Sequence, residues 1–478
     1  MERSHNMTML VDFYELTMGS GYFESGKKDT IAYFDVFYRK NPDNAGFAIA
    51  MGLQSIVEYI QALEFSESDL DYLRKKGGFS EEFLDYLRHF KFTGDIWAIP
   101  EGTPVFPGEP LLTVRAPLIE AQLVETYLLL MINHQSLIAT KASRIARAAK
   151  GRAVMEFGSR RAHGESAAIL GARAAYIGGA AASACVKADI DYGVPATGTM
   201  AHSWIQVFDD ELEAFRAYAK LHRDNCSLLV DTYDVLKSGV PNAMKVFEEF
   251  KPAKMSLRID SGDITSLSRR ARAMLDQGGF HDCKIIASNS LDEYLIEDML
   301  MQNAAIDSFG VGEKMITSKS SPVFGGVYKL VAVEEKGKIR PRIKISENIE
   351  KITNPGFKKA IRFYDKSTDK AVADVVMLWN ETFDESQPYE IFNPEFVWKR
   401  KKITDYYTRE LAVPVFKDGE LVYDLPSTEE IREYCREQLE TLWQEVQRFE
   451  NPHTYYVDLS DKLWTLKQEL IEGHKDFE

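Results

Sequence analysis

The sequence predicts an α/β protein built on a parallel α/β barrel, with a smaller mixed α+β domain beside it. In the middle of the chain, short β-rich runs alternate with amphipathic helical patterns, which is the arrangement of parallel βαβ units. Polar, charged and glycine residues recur directly after these runs, at the edge where a parallel barrel carries its active site. Strands buried on both sides would also suit a doubly wound sheet, but we favour the barrel.

The first part of the chain, residues 1–118, has mixed patterns. Residues 30–39 alternate as a strand does, and residues 66–90 have the periodicity of amphipathic helices. In residues 91–117, Pro and Gly recur between short β-rich runs, as hairpin turns require. We therefore expect an N-terminal mixed α+β domain that contains a small β module.

Residues 119–365 are predicted to form the barrel, which we take as the catalytic domain. An apolar helix candidate covers 119–151, and the last three β-rich runs after it start 22 to 30 residues apart. The remaining residues, 366–478, are expected to form a C-terminal region that packs on the N-terminal domain. The five β-rich runs of the barrel cover 152–158, 227–232, 254–260, 284–290 and 306–312.

Composition excludes several classes of protein. The chain has 478 residues, of which 45% are hydrophobic, and a net charge of −15, which argues against a nucleic-acid partner. No apolar run reaches the ~18–20 residues of a membrane span, and the polar start lacks the apolar core of a secretory signal, so we expect a cytoplasmic protein. The cysteines are widely spaced without a C-x-x-C pair, which suggests neither zinc nor disulfides: Cys185, Cys226, Cys283 and Cys435.

The residues after the β-rich runs suit an anion. Gly310 and Gly312 can present backbone N–H groups to a phosphate, to which Thr317 can add a hydroxyl, although a lone G-x-G is a weak signal. Glu313 follows the glycines directly and would repel a phosphate unless Lys314 offsets it. Taken singly, such residues also suit a tight turn or a solvated helix start. Their recurrence at one edge favours an anion-binding site.

Arginines and carboxylates follow the same pattern. Arg160 and Arg258 offer planar guanidinium groups to carboxylate or phosphate oxygens. Asp260 and Asp263 can accept ribose hydroxyls or hold Mg²⁺ through water, and Phe157 offers a flat face on which an aromatic ring can stack.

Six stretches occur along the chain in this order: LVDFYELTMGSGYF, EFGSRRAHG, GTMAHS, RIDSGD, FGVGEKMITS and KISENIEKITNPGFK. Together they resemble the nicotinate phosphoribosyltransferases, which are type II phosphoribosyltransferases. The resemblance covers roughly residues 8–365, and the C-terminal part is similar only through its length and a YYTRELAVPVF segment. It implies the irregular parallel α/β barrel of the type II enzymes. The order of the six stretches is also the family's order.

The resemblance implies an ATP-coupled reaction of the ligase type in NAD biosynthesis or salvage. Nicotinate would displace pyrophosphate from phosphoribosyl pyrophosphate and give nicotinate mononucleotide, with ATP as co-substrate and Mg²⁺ as cofactor. The histidine of the GT-x-A-H-S motif, His202 here, would be the residue that ATP phosphorylates. A neutral imidazole is a competent nucleophile near pH 7, and Thr199 or Ser203 can stabilise the charge that develops.

Other roles also carry over from the family. Tyr14 and Phe157 resemble the two faces of the nicotinate site, and in relatives the tyrosine comes from the neighbouring subunit, which implies a homodimer with shared active sites. Tyr14 is equally well interpreted as a core residue of an N-terminal helix. The resemblance implies His202, Arg258 and Asp260 as catalytic residues, and as substrate-binding residues Tyr14, Phe157, Ser159, Arg160, Thr199, Ser261, Gly262, Asp263, Asn289, Gly310, Gly312 and Thr317.

Three alternative functions remain open. Nicotinamide-using relatives place an aspartate in a segment that corresponds to GGAAASAC, residues 178–185, and the lack of an acid there favours nicotinate. A sugar-phosphate isomerase or lyase would need a Schiff-base lysine or a metal cluster, and none stands out. An inactive metabolite-binding regulator should have lost His202 or the acids of RIDSGD, which are present.

Overall fold

A computed structural model describes residues 6–473, so the first five residues of the polar start discussed above lie outside it. The described residues form two compact units. Unit 1 comprises residues 6–137, 323–426 and 433–473, and unit 2 comprises residues 138–322 and 427–432. The division into an N-terminal, a barrel and a C-terminal region stays a prediction.

Unit 2 is built on a six-stranded parallel sheet that forms half of a barrel, with helices between successive strands. The predicted α/β fold is confirmed. All five predicted strands are in this sheet, and the sixth, Ala182–Ser183, was missed because two residues carry no periodic signal. The spatial order of the strands is Ala182–Ser183, Ala153–Glu156, Ser308–Val311, Lys284–Ser288, Met255–Ile259 and Cys226–Leu229.

The long strands of unit 2 have apolar, buried centres because both faces of the sheet are covered. One central residue of each long strand is at most 1% exposed, and these residues are Val154, Leu228, Leu257, Ile285 and Phe309. Strand Cys226–Leu229 is buried at every position, whereas strand Met255–Ile259 alternates, with Ser256 and Arg258 between its apolar residues.

The helices that follow two of the strands are fixed by aspartate caps. Asp263 accepts a hydrogen bond from the backbone N–H of Ser266 at 3.0 Å, and Asp292 accepts one from Leu295 at 2.9 Å. These caps begin the helices within a few residues of the strand ends. The helices of unit 2 are Glu165–Ile177, Val186–Tyr192, His202–Gln206, Glu211–Leu221, Val240–Phe250, Ile264–Gln277, Glu293–Met301 and Glu313–Ile316, with single turns at Ser159–Arg161 and Val235–Gly239.

Unit 1 contains two larger sheets and two strand pairs. In spatial order, the antiparallel seven-stranded sheet consists of Lys338–Pro341, Val327–Glu335, Ile31–Phe37, Leu112–Pro117, Asp95–Ala98, Val413–Lys417 and Glu420–Leu421. The four-stranded sheet consists of Tyr406–Glu410, Lys358–Asp365, Ala371–Leu378 and Val457–Leu459, and the pairs are Tyr389–Phe392 with Arg400–Ile403 and Ala48–Ile49 with Pro104–Val105.

The helices of unit 1 include the amphipathic ones that the sequence predicts. The long helix predicted over 119–151 is divided in two at Val124, where the chain makes a short turn. Helices Glu125–Ala148 and Thr428–Glu440 have residues in both units. The others are Phe13–Glu24, Leu53–Gln61, Glu67–Lys76, Glu81–Arg88, Leu118–Leu123 and Asp461–Glu472. Within residues 6–473, we find no helix that combines the length and the apolar character of a membrane span.

A fully buried cluster of charges joins the four-stranded sheet to its surroundings in unit 1. Arg362 donates to both carboxylate oxygens of Asp374, at 2.8 and 2.6 Å, and the Tyr455 hydroxyl donates to the same carboxylate at 3.0 Å. The nearest oxygen of Glu109 lies 3.8 Å from Arg362. Burial and the neighbouring Asp374 raise the pKa of Glu109 well above its ordinary value. Arg362 therefore supplies the positive charge that balances Asp374.

Glu15, on helix Phe13–Glu24, is a second buried acid of unit 1. One carboxylate oxygen accepts from the Thr126 hydroxyl at 2.5 Å, whereas the other is buried without a hydrogen-bond partner. Burial raises the pKa of Glu15 from its ordinary 4.5 to about 7. Folding therefore favours the protonated acid, and this contribution to stability is lost as the pH rises through about 7.

We expect Glu15→Gln to become more stable than the unchanged protein as the pH rises, because the amide carries no charge. Between pH 5 and pH 8 the difference in unfolding free energy should shift by about 1–2 kcal/mol in favour of the variant. Urea denaturation at both pH values measures the shift. The exposed Glu82→Gln is the control and should show none, and an equal effect of Glu15→Gln at both pH values would contradict the prediction.

Candidate active site

The carboxyl ends of the parallel strands of unit 2 gather most of the predicted site residues. Strand Ala153–Glu156 leads into Phe157, and strand Cys226–Leu229 leads into Asp231 and Thr232. Strand Met255–Ile259 carries Arg258 and is followed by Asp260, and strand Lys284–Ser288 ends beside Asn289. Since all these strands run in the same direction, their polar residues meet at one edge of the sheet.

Arg258 lies at the centre of this edge. Its guanidinium donates to the hydroxyls of Ser288 at 2.9 Å and Thr199 at 3.1 Å, and to the carbonyl of Met200 at 3.3 Å. The same group lies 3.3 Å from Asp260 and 5.8 Å from the centre of the Phe157 ring. Arg258 thus joins the predicted Thr199, Asp260 and Phe157 around one fixed positive charge.

Asp260 is held in place by its neighbours. Its backbone N–H donates to Asp231 at 3.0 Å, and the Ser288 hydroxyl donates to its carboxylate. The Ser261 hydroxyl donates to the same oxygen of Asp231 at 2.5 Å. Asp231 thereby fixes the backbone and side chain of the two residues that follow strand Met255–Ile259.

His202 begins helix His202–Gln206 and is partly exposed. Its Nδ1 shares a hydrogen bond of 3.1 Å with the Thr232 hydroxyl, and its Nε2 lies 3.9 Å from Asp260. If Nδ1 carries the ring proton and donates a hydrogen bond to the Thr232 hydroxyl, Nε2 is the nitrogen with the free lone pair. In that tautomer, the imidazole has a fixed orientation and one nitrogen available for chemistry.

The glycines of the G-x-G segment are required by the Phe157 ring and its backbone. A methyl group at Gly310 would lie 2.6 Å from a ring carbon of Phe157, and one at Gly312 would lie 2.9 Å from the Phe157 carbonyl oxygen. The Phe157 N–H donates to Val311 at 2.7 Å. The glycines thus let two neighbouring strand ends approach closely, which is a packing role in addition to any contact with an anion.

The charged residues after the glycines are paired. Glu313 accepts from Lys319 at 2.7 Å, and Lys314 donates to Asp292 at 2.5 Å. The expected offset of Glu313 by Lys314 is therefore replaced by two separate ion pairs. Thr317 donates its hydroxyl to the Glu313 carbonyl at 2.8 Å.

The other predicted residues lie around the edge of the site. Asp263 caps helix Ile264–Gln277, and Gly262 has a φ of 77°, which a glycine adopts without strain. Asn289 is exposed with a φ of 96°. In the single turn Ser159–Arg161, Arg160 is exposed and the Ser159 hydroxyl is buried without a hydrogen-bond partner.

Glu156, which the sequence analysis did not single out, lies beside the segment proposed to select the substrate. It accepts hydrogen bonds from the Ser183 hydroxyl at 2.6 Å and from the Gly158 N–H. Burial raises the pKa of Glu156. Both carboxylate oxygens are engaged, so this acid braces strand Ala182–Ser183 instead of facing open space.

Tyr14 lies on helix Phe13–Glu24 of unit 1. Its hydroxyl donates a hydrogen bond to Glu125, and burial followed by the charge of Glu125 raises the pKa of Tyr14 well above its ordinary value. The residue is 42% exposed, so it is not a core residue of unit 1. The interpretation of Tyr14 as a core side chain is wrong for this unit.

The carboxylates of the site suit a Mg²⁺ ion that is shared with a substrate. In the part of the chain that the structure describes, no three acidic, histidine or cysteine residues form a complete metal cage. However, one oxygen of Asp231 is buried without a hydrogen-bond partner, next to Asp260. Mg²⁺ commonly binds one or two carboxylates together with water and substrate phosphates, so this pair fits the ion.

Asp231, Thr232 and Ser288 are candidate functional residues to which the sequence analysis assigned no role. Their partners lie about 30 residues away along the chain, so the strand register brings them together. Together with Arg258 and His202, they form a site with fixed positive charge, a free imidazole nitrogen and an aromatic face. Such a site can bind an anionic substrate and transfer a group through the imidazole.

Two domain families match the chain. The nicotinate phosphoribosyltransferase N-terminal domain matches residues 9–133, and the C-terminal domain of the same family matches residues 357–467. The nicotinate phosphoribosyltransferase of Bacillus subtilis is 42% identical over 475 residues, which cover 99% of this chain and 97% of that protein. A nicotinate phosphoribosyltransferase of Mycobacterium tuberculosis is 38% identical over 465 residues, 96% of this chain and 93% of that protein.

Solved structures give the same result. The crystal structure of human nicotinic acid phosphoribosyltransferase superposes with a TM-score of 0.83 at 27% identity and covers 97% of this chain and 100% of its own. A nicotinate-nucleotide pyrophosphorylase from Pyrococcus furiosus superposes with a TM-score of 0.70 at 24% identity, covering 92% of this chain and 99% of its own. At that identity, the second similarity concerns the fold alone.

Proposed function

Because this chain belongs to the nicotinate phosphoribosyltransferase family, we propose that the edge of its parallel sheet makes nicotinate mononucleotide for NAD biosynthesis. Nicotinate and phosphoribosyl pyrophosphate are the substrates. The pyridine nitrogen forms a bond to C1 of the ribose, the bond from C1 to the pyrophosphate oxygen breaks, and pyrophosphate leaves with its electron pair. In this proposal, phosphoribosyl pyrophosphate donates the phosphoribosyl group, ATP is the co-substrate and Mg²⁺ is the cofactor.

The observation that carries the proposal is the set of contacts around Arg258. Its guanidinium lies 5.8 Å from the Phe157 ring centre and 3.3 Å from Asp260. A nicotinate ring stacked on Phe157 would have its carboxylate near a positive charge, with Arg160 as a second candidate. The G-x-G segment beside Phe157 would take the 5′-phosphate of the ribose.

His202 is the proposed link to ATP. The Nε2 lone pair would attack the γ-phosphorus of ATP, so that an N–P bond forms and the bond to the ADP oxygen breaks. The hydrogen bond between Nδ1 and Thr232 supports this choice of nitrogen because it leaves Nε2 free. Water would later hydrolyse the phosphohistidine.

Asp231 and Asp260 are the residues that would hold Mg²⁺. When bound there, the ion would neutralise charge on the phosphates of the substrate. Arg258 and the backbone around the glycines orient the substrate whether or not the ion is present.

A substrate screen tests the reaction. We expect the purified protein to form nicotinate mononucleotide from nicotinate and phosphoribosyl pyrophosphate, with higher activity when ATP is present. Nicotinamide should react at least about 100-fold less well in kcat/KM, because Arg258 and Arg160 match a carboxylate and the segment 178–185 offers no acid to an amide. Arg258→Ala serves as the inactive control.

The screen also separates the alternative functions. A preference for nicotinamide would contradict the assignment of residues 178–185 to substrate choice. A lack of any mononucleotide product with nicotinate, nicotinamide and quinolinate would contradict the transferase reaction itself.

We further propose a homodimer in which Tyr14 completes the site of the neighbouring subunit. The exposed ring and the anchored hydroxyl of Tyr14 support this, since a side chain held at a surface can serve a partner. Tyr14→Ala and Arg258→Ala should each be inactive, and mixing them under subunit exchange should restore up to about a quarter of the activity, because one mixed site has both residues. Activity that stays absent after proven exchange would place Tyr14 in its own subunit.

A further inference from the structure

Two segments follow neighbouring strands at the active-site edge of unit 2. The turn 289–292 follows strand Lys284–Ser288, and the segment 312–321, which we name the glycine loop, follows strand Ser308–Val311. These strands are parallel neighbours in the sheet. Two consecutive acids, Asp292 and Glu293, end the turn and begin the next helix.

The first acid is tied directly to the glycine loop. Asp292 accepts from Lys314 at 2.5 Å, in a pair whose side chains are only 20% and 29% exposed. Its other oxygen accepts from the Leu295 N–H at 2.9 Å. Partial burial alone would raise the pKa of Asp292, but the hydrogen bond from Lys314 holds that pKa below its ordinary value. Lys314 is thus engaged with Asp292.

The second acid is tied to the far end of the same loop. Glu293 is fully buried and accepts from Lys141 at 2.8 Å and from Arg144 at 3.0 Å. The ammonium group of Lys141 also donates to the Ser320 hydroxyl at 2.8 Å. Lys141 therefore connects Glu293 to the glycine loop about six residues beyond Lys314.

The backbone of the turn needs such support. Asn289 and Ser290 have φ values of 96° and 35°, in the region that residues other than glycine adopt at a cost in free energy. In the glycine loop, Ser318 has a φ of 42°. Strained segments keep their geometry only when neighbouring contacts hold them, and the two tethers are such contacts.

We propose that Asp292, with Lys314, is a positioning residue that holds the glycine loop in the shape that binds the 5′-phosphate of phosphoribosyl pyrophosphate. The tether from Glu293 through Lys141 to Ser320 holds the other end of the loop. The inference rests on the proposed function. Lys314 acts by fixing the loop, while the backbone N–H groups of the loop meet the phosphate.

The test compares Asp292→Asn, Lys314→Met and the double variant. Asparagine remains a good helix cap, so Asp292→Asn removes the charge of the pair and keeps the cap. We expect KM for phosphoribosyl pyrophosphate, and Kd for ribose 5-phosphate measured by calorimetry, to rise about tenfold in each single variant. KM for nicotinate and the melting temperature should change little. The double variant should be no worse than either single one, and Lys314→Arg should restore most of the affinity.

Two further variants sharpen the comparison. Lys284→Met breaks an exposed ion pair in which the Lys284 nitrogen lies 3.1 Å from Asp307. This pair lies at the amino ends of strands Lys284–Ser288 and Ser308–Val311, opposite the active-site edge, so the Kd for ribose 5-phosphate should not change. Ser320→Ala removes the second tether without disturbing the Lys141–Glu293 pair, and should raise the Kd about two- to threefold.

The outcomes are distinguishable. If the unchanged protein is active and binds ribose 5-phosphate, but Asp292→Asn and Lys314→Met bind it within twofold of that value, the positioning role is wrong. The same conclusion follows if KM for nicotinate rises as much as KM for phosphoribosyl pyrophosphate. If the unchanged protein neither forms nicotinate mononucleotide nor binds ribose 5-phosphate, the proposed function fails first and this inference falls with it.

Discussion

Replacement of His202 by alanine is expected to abolish ATP hydrolysis and the stimulation of the transferase by ATP. A slow formation of nicotinate mononucleotide should remain, because Arg258, Phe157 and the glycine loop are intact in the variant. After incubation with labelled ATP, the unchanged protein should carry acid-labile, base-stable phosphate, and His202→Ala should carry at least about 100-fold less label. Such a loss identifies the imidazole as the phosphate acceptor.

The control is the exposed His281→Ala, whose ring lies 3.3 Å from Asp276, away from the strand ends that form the site. It should keep its label and both activities. The two variants are compared with the unchanged protein at temperatures at which all three are fully folded. Undiminished label on His202→Ala would show that another residue carries the phosphate. A parallel loss of stability and of both activities would show that His202 serves the structure.

Replacement of Arg362 by methionine is expected to destabilise unit 1 by about 3–5 kcal/mol. The substitution leaves the Asp374 carboxylate buried without its cation. Among the contacts described above, Asp374 then keeps only the hydrogen bond from the Tyr455 hydroxyl. Thermal and urea denaturation measure the loss.

The exposed pair of Arg400 and Glu390 provides the matched control. Its atoms lie 2.7 Å apart, but the side chains are 47% and 40% exposed, so Arg400→Met should change the stability by less than about 1 kcal/mol. A loss from Arg362→Met that is equally small would mean that the buried cluster tolerates an unbalanced carboxylate. That result would contradict the balance of charges described for unit 1.

The sequence predicted the strands of unit 2 well because their signal is local. The run around Leu257 has apolar residues at 255, 257 and 259 and is followed by turn residues, and this pattern does not depend on distant partners. The two-residue strand Ala182–Ser183 has no such pattern and was missed. The break of the long helix at Val124 was also missed, because the apolar pattern continues through it.

The candidate site was predicted residue by residue, but its contacts were not. The run predicted over 227–232 includes Asp231, yet the hydrogen bonds that Asp231 accepts from Asp260 and Ser261 depend on the register between two strands. The structure shows Asp263 as a helix cap, which the sequence analysis did not predict, and its expected place near the ribose stays a prediction. An aspartate three residues before Ser266 at a helix start is the signal that could have indicated the cap.

Ion pairs show the same limit. The neighbouring residues Glu313 and Lys314 suggested a local offset of charge. Instead, each pairs with a residue that only the folded chain brings near, Lys319 and Asp292. A long side chain can reach several partners, and the local sequence pattern alone does not indicate which of them it contacts in the folded chain.

The seven-stranded sheet of unit 1 has a consequence for the order in which the chain can fold. Strand Ile31–Phe37 pairs with Val327–Glu335, so one of its two edges has no partner until about 300 further residues have been synthesised. All six parallel strands of unit 2 lie in that interval and have short-range βαβ contacts, so this sheet can form as it emerges. Chains that end before residue 335 would expose an unpaired apolar strand edge, which promotes aggregation. Premature termination between residues 138 and 335 should therefore yield insoluble protein, even where the parallel sheet of unit 2 is complete.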